Sequence, residues 1–187
     1  MVNDSLAYSA RAAHDWGLAS WLGGSMFGKF ALNPAVAGVS DKTERGKVVN
    51  SAWGAYGIVN SLSLAAVTVG WLGARATEAR PDRLTQRERT LAKVKDALVP
   101  AAVVSGVATG IQGARLAKQA PNGAVPIERG NKPAPETPPE AASIQRTIGK
   151  LGTVNILSGV GIVVVNALLA QANHSRPPLR RALLRRN

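Results

Sequence analysis

The sequence predicts an all-α fold, an integral membrane four-helix bundle with a short cytoplasmic amphipathic helix and a proline-rich outside loop. Three observations carry that expectation. Residues 16–40, 48–74, 97–114 and 151–173 hold one charged residue between them, Lys29, although the chain has 23 Lys and Arg and 11 Asp and Glu. These stretches are 25, 27, 18 and 23 residues long, and a helix rising about 1.5 Å per residue needs roughly 20 to cross a hydrocarbon layer of about 30 Å. All four tryptophans, Trp16, Trp21, Trp53 and Trp71, fall near the ends of the stretches, where an amphipathic ring favours the headgroup region.

Whole-chain averages conceal this segregation. Mean hydropathy is only +0.01 and 45% of residues are apolar, because the stretches are built from Ala, Gly, Val and Ser rather than Leu and Phe. The third is the least apolar, with Leu98, Val99, Val103, Val104, Val107 and Ile111 as its strong apolar residues, and it is expected to depend on its neighbours for insertion. In 187 residues there is too little chain to surround four such helices with a water-facing shell.

Orientation follows from Lys and Arg, which resist translocation. With the N-terminus inside, the inner segments carry thirteen of them and the outer segments nine. Both termini are therefore expected in the cytoplasm, and the Arg-, Ala- and Gly-rich composition suggests a bacterial inner membrane. Met1 to Ser9 lack a basic leader and carry Asp4, so the first helix is expected to remain as an uncleaved anchor.

Between the spans, residues 75–96 form a basic cytoplasmic loop. Within it, 82–95 has amphipathic periodicity, and Thr85 with Glu88 has the spacing of a capping box. Arg83, Arg87 and Lys93 here, with Arg180, Arg181, Arg185 and Arg186 of the polybasic tail 175–187, are expected to face anionic headgroups. Nucleic acid is not an expected partner, since the charged regions offer no aromatic ring for a base to stack on. Residues 119–142 contain six prolines, which predicts an extended, poorly ordered loop.

Inside the spans, small residues recur at helical spacing: Ser20, Gly24 and Gly28 in the first and Gly106 and Gly110 in the third at intervals of four, and Gly54 and Gly57 in the second at an interval of three. Helices in lipid gain little from apolarity against one another, so such faces mark close backbone packing. Lys29, Asn33, Asn60, Asn155 and Asn166 are candidates to line a polar cavity, with Lys29 placed halfway along its span. His14, Asp15 and His174 are the weak candidates for a metal, and neither metal nor cofactor is expected. Without cysteine, disulfides and thiol chemistry are excluded. No nucleophile-elbow, phosphate-loop, zinc-protease or dinucleotide-binding fingerprint occurs. Gly46–Lys47 and Gly149–Lys150 precede the second and fourth spans alike, which suggests two copies of a helical hairpin.

The four spans, the glycines at Gly23, Gly24 and Gly28, and the Trp53–Tyr56 region together resemble the DoxX-like and anthrone-oxygenase-like group of small bacterial four-helix membrane proteins. That resemblance covers the spans and not the loops; it implies a redox or quinone-related membrane role and transfers no catalytic residue. The residues themselves favour a non-enzymatic structural or accessory subunit of a membrane assembly, with anionic lipid and homo- or hetero-oligomeric membrane proteins as partners. The alternative is a membrane-embedded enzyme or carrier for a lipophilic or anionic small molecule.

Overall fold

A computed structural model describes residues 2–120 and 123–174, with side chains described for 8–120 and 123–172; the polybasic tail lies outside them. Four long helices dominate. The first, α1, is Val2–Phe27, and it continues through a π turn, Gly28–Leu32, one α turn, Asn33–Ala35, and a 3₁₀ turn, Val36–Gly38. Then come α2 (Lys42–Ala76), α3 (Gln86–Lys118), a small hairpin of β1 (Ile127–Arg129) and β2 (Lys132–Pro133), and α4 (Pro139–His174). Three of the four, α2, α3 and α4, are long and apolar enough to cross a membrane.

The first expected crossing, 16–40, is helical throughout most of its length but not one uninterrupted α-helix. Pro34 has no N–H to give the carbonyl of Phe30, four residues back, and its ring crowds that turn. The chain widens to a π turn immediately before it, and the Asn33 N–H bonds to the Gly28 carbonyl instead.

Helix starts are set locally. Asp41 caps α2, its Oδ1 accepting the Thr43 and Glu44 N–H groups at 2.8 Å each. Thr85 and Glu88 form the expected capping box at α3, and the Glu88 carboxylate, accepting from the Thr85 N–H and hydroxyl at 2.8 Å, is only 2% exposed. The amphipathic helix expected at 82–95 is not a separate surface element: from Gln86 it is continuous with the third apolar stretch in one 33-residue helix. Its buried positions, Glu88, Ala92, Lys95, Val99 and Ala102, keep one helical phase across the supposed boundary, and Pro100 does not end it.

α1 packs chiefly on α2 and α3 chiefly on α4, while α1 with α4 and α2 with α3 meet more sparsely. Two helical hairpins side by side are what the weak sequence repeat suggested. Leu18, Trp21, Leu64, Val67, Trp71, Val99, Ala102 and Ile162 form the shared core. Outside, Phe27, Phe30, Ile58, Leu62, Val69, Leu72, Val104, Val107, Leu157 and Val164 are exposed. Only 22%, 17% and 33% of the most apolar window in α2, α3 and α4 is buried within the bundle, so the apolar surface is turned outward.

The proline-rich segment departs from its expected disorder. Its described residues fold into a cap over one end of the bundle, with Ala124, Val125, Ile127 and Ala134 buried. Gly130, at φ +50°, turns β1 back onto β2 against the Asn33 side chain. Arg45 donates to the Val39 and Glu128 carbonyls at 2.6 and 2.9 Å. Thr137 donates to the Pro126 carbonyl at 2.6 Å. Val36, Val49 and Ile127 close a second small core beneath the hairpin. Prolines forbid a helix there, but side-chain bonds and four buried apolar residues suffice to order the chain.

Candidate functional site

Away from the hairpin, all four helices contribute to one buried polar cluster. His14 faces α2 where Gly70 lets the backbones approach: a Cβ at Gly70 would lie 2.6 Å from the His14 Cβ. The Lys95 ammonium of α3 lies 3.1 Å from His14 Nε2 and donates to Asn166 Oδ1 of α4 at 2.6 Å. It also lies 4.2 Å from the centre of the Trp71 ring of α2, a cation–π contact. Lys95 is 4% exposed and His14 5%, so these contacts replace the water the charge has lost.

The tautomer follows from donor counting. An ammonium can only donate, so His14 Nε2 accepts, and the ring proton sits on Nδ1, 3.1 Å from Asp15 Oδ1. Burial, reinforced by the Lys95 charge, lowers the His14 pKa from its ordinary value. The imidazole is thereby held neutral between an outward carboxylate and an inward ammonium. Beside this row, Asp96 Oδ1 accepts the Trp71 indole N–H at 3.0 Å and pairs with Arg75 Nε at 3.2 Å. Arg11 pairs with Glu78 nearer the surface.

A second polar node lies in the middle of the bundle. Asn155 of α4 accepts the Trp21 indole N–H at 2.9 Å and donates to the Ala102 carbonyl at 3.0 Å and Ser105 Oγ at 3.2 Å. Three helices meet on this one amide, and Asn155 is 7% exposed. Trp21 and Trp71, at 1% and 5% exposure, are core donors rather than parts of an interfacial belt. Trp16, 63% exposed, keeps the belt role open to it.

The expected cavity residues do not converge. Asn166 belongs to the Lys95 cluster, Asn155 to the central node, and Asn60 is half-buried in α2. Asn33 and Lys29 lie toward the hairpin, Asn33 buried against Gly130 and Lys29 donating to Thr153 Oγ1. Lys29 is thus not midway across the bundle: Thr153 is one helical turn from Lys150, the last charge before the fourth apolar stretch. Of the metal candidates, His14 has both ring nitrogens engaged, the His174 side chain lies outside the described residues, and no group of metal-ligating side chains occurs among those described. Two open recesses, of about 350 and 570 Å³, border the hairpin end and not the polar clusters.

The packing glycines divide into two sets. A Cβ at Gly24 would overlap the Tyr56 ring and one at Gly28 the Trp53 ring, while one at Gly106 would press on Leu64 at 3.0 Å. The Tyr56 hydroxyl donates to the Ser20 carbonyl, so Ser20, Gly24 and Gly28 form the α1 face against α2. Gly54, Gly57 and Gly110 have nothing within 4 Å of a Cβ position and do not pack inside the bundle. Of the lipid-facing candidates, Arg87 and Lys93 are exposed on α3 and Arg83 is half-buried; Arg180, Arg181, Arg185 and Arg186 lie outside the described residues.

Lys95, Trp71 and Asp96 are not distinguished as site residues in the sequence, where Lys95 is one of several basic residues in the 75–96 loop. The available signal is helical phase: Lys95 lies on the same face as Ala92, Val99 and Ala102. No family model, curated protein or solved structure matches the chain, so the resemblance to the DoxX-like group adds no residue to this site.

Proposed function

We propose that the chain is a four-crossing protein of the bacterial inner membrane, both termini cytoplasmic, acting as a non-enzymatic accessory subunit of a membrane assembly. The outward face of α2 carries this reading. Gly54, Gly57 and Gly73 are open there, and Ser61 and Ala65 are exposed between them, continuing the four-residue spacing without a partner helix. Small residues facing lipid gain nothing by themselves, whereas a second helix at that face can come close enough for backbone contact. The polar residues support the same reading, since the His14–Lys95–Asn166 and Trp21–Asn155–Ser105 contacts join helices to one another. A carrier or enzyme needs such groups around a shared space, and here they are spread along the bundle. Arg87, Lys93 and the arginines of the tail gather anionic lipid on the cytoplasmic side.

Replacing inward and outward glycines tests this directly. Gly54→Leu with Gly57→Leu should leave thermal stability within about 0.5 kcal/mol yet move the protein to a smaller species on native electrophoresis of gently solubilised membranes. Gly24→Leu should instead destabilise the bundle by about 1–3 kcal/mol or more through overlap with Tyr56. An unsubstituted protein migrating at the mass of one bundle would contradict the subunit reading.

A further inference from the structure

We infer that Lys29, Lys150 and Thr153 form a binding site for the phosphate of an anionic phospholipid, at the hairpin end of the groove between α1 and α4. The π turn places Lys29 so that its ammonium donates to Thr153 Oγ1. The Thr153 hydroxyl in turn donates to the Gly149 carbonyl at 2.9 Å. One of the three ammonium protons is thereby used, which leaves two for a ligand. Lys150 lies three residues from Thr153 on the same face of α4, where side chains are neighbours. Neither lysine makes an ion pair among the described residues. The apolar spans contain no acidic residue at all, so no carboxylate within them neutralises Lys29.

Immediately past the lysines the groove turns apolar. Met26 of α1 is exposed, as are Leu157 and Val160 of α4, on the helical faces that continue from Lys29 and Thr153. Leu22 touches the floor, where a Cβ at Gly159 would lie 2.8 Å from its Cδ1. The hairpin closes the other end, with Asn131 Cβ 3.4 Å from a Cβ position at Gly149. Positive charge at the rim of an apolar groove matches a molecule with a phosphate at one end and an acyl chain at the other. The occupant is thus a phospholipid and not free phosphate, which would leave the groove empty. π turns are frequent where a helix carries function, and this one sets the only charge within the apolar stretches.

The inference rests on the membrane reading above, and its test separates the two. The full-length protein, purified in detergent, is titrated with phosphatidylglycerol and bound lipids are counted by native mass spectrometry. Unsubstituted protein should hold one phosphatidylglycerol more tightly than phosphatidylcholine, and Lys29→Met with Lys150→Met should weaken that step by at least about ten-fold. Lys29→Arg should retain it, which separates lost charge from a failure to fold. Arg115→Gln with Lys118→Gln, two exposed charges of α3 outside the site, should leave it unchanged. Equal binding of the two lipids, or unaltered binding by the double methionine variant with its helical content intact, would overturn the site. Displacement by inorganic phosphate alone would overturn the lipid assignment. Loss of the unsubstituted protein from membranes on alkaline extraction would instead overturn the membrane reading.

Discussion

His14 is the residue whose chemistry is most constrained. Its Nε2 faces the Lys95 ammonium, its Nδ1 faces Asp15, and burial adds to the cost of a second positive charge. The folded-state pKa is therefore below the unfolded value near 6.5. As pH falls, the unfolded chain takes up the proton first, so stability is full above that value and is lost as pH drops toward the folded pKa. Thermal unfolding in detergent at about pH 7.5 and about pH 5.5 should show a lower midpoint in acid. His14→Gln should reduce the difference; an identical acid shift in that variant would assign it elsewhere. In the sequence, His14 stood out as one of two histidines, with Asp15 beside it, but their partner did not. Lys95 sits among many basic residues, and what distinguishes it is burial, which composition does not reveal.

At the level of elements, Asn155 does the most joining, since one amide binds α1 through Trp21 and α3 through Ala102 and Ser105. Asn155→Leu keeps the branching at Cγ but strands the indole N–H and leaves the Ser105 contact unmade. It should destabilise the bundle by about 1–2 kcal/mol, measured as a reduced midpoint of denaturant unfolding in micelles, and no loss would show that the node is incidental. The helices themselves were legible: uncharged runs and the Thr85–Glu88 box locate real features. The cap was not, because six prolines outweighed the Gly130–Asn131 turn signal between two short extended runs. Its order comes from contacts distant in sequence, such as Arg45 with Glu128 and Asn33 with Gly130. Glycine spacing located the close α1–α2 packing at Gly24 and Gly28, yet the similarly placed Gly54, Gly57 and Gly110 have nothing packed against them. Spacing identifies a face; only the arrangement of neighbours says what that face meets.

For the molecule as a whole, the bundle interior holds buried Ser, Asn, Lys and His among its apolar core residues, while Val, Leu, Ile and Phe also cover the outside. That arrangement suits lipid around the helices, and the two ends differ: one holds the charged cluster, the other the hairpin cap. Orientation in a membrane is the claim on which the subunit and lipid-site proposals both depend. The chain has no cysteine, so single introduced thiols report without background. Ala12→Cys on α1, Arg87→Cys on α3 and Lys132→Cys on the hairpin, all at exposed positions, can be probed in intact cells with a membrane-impermeant thiol reagent. The account predicts labelling at position 132 from outside and at positions 12 and 87 only after the inner membrane is opened. Labelling of all three from the same side would contradict four crossings.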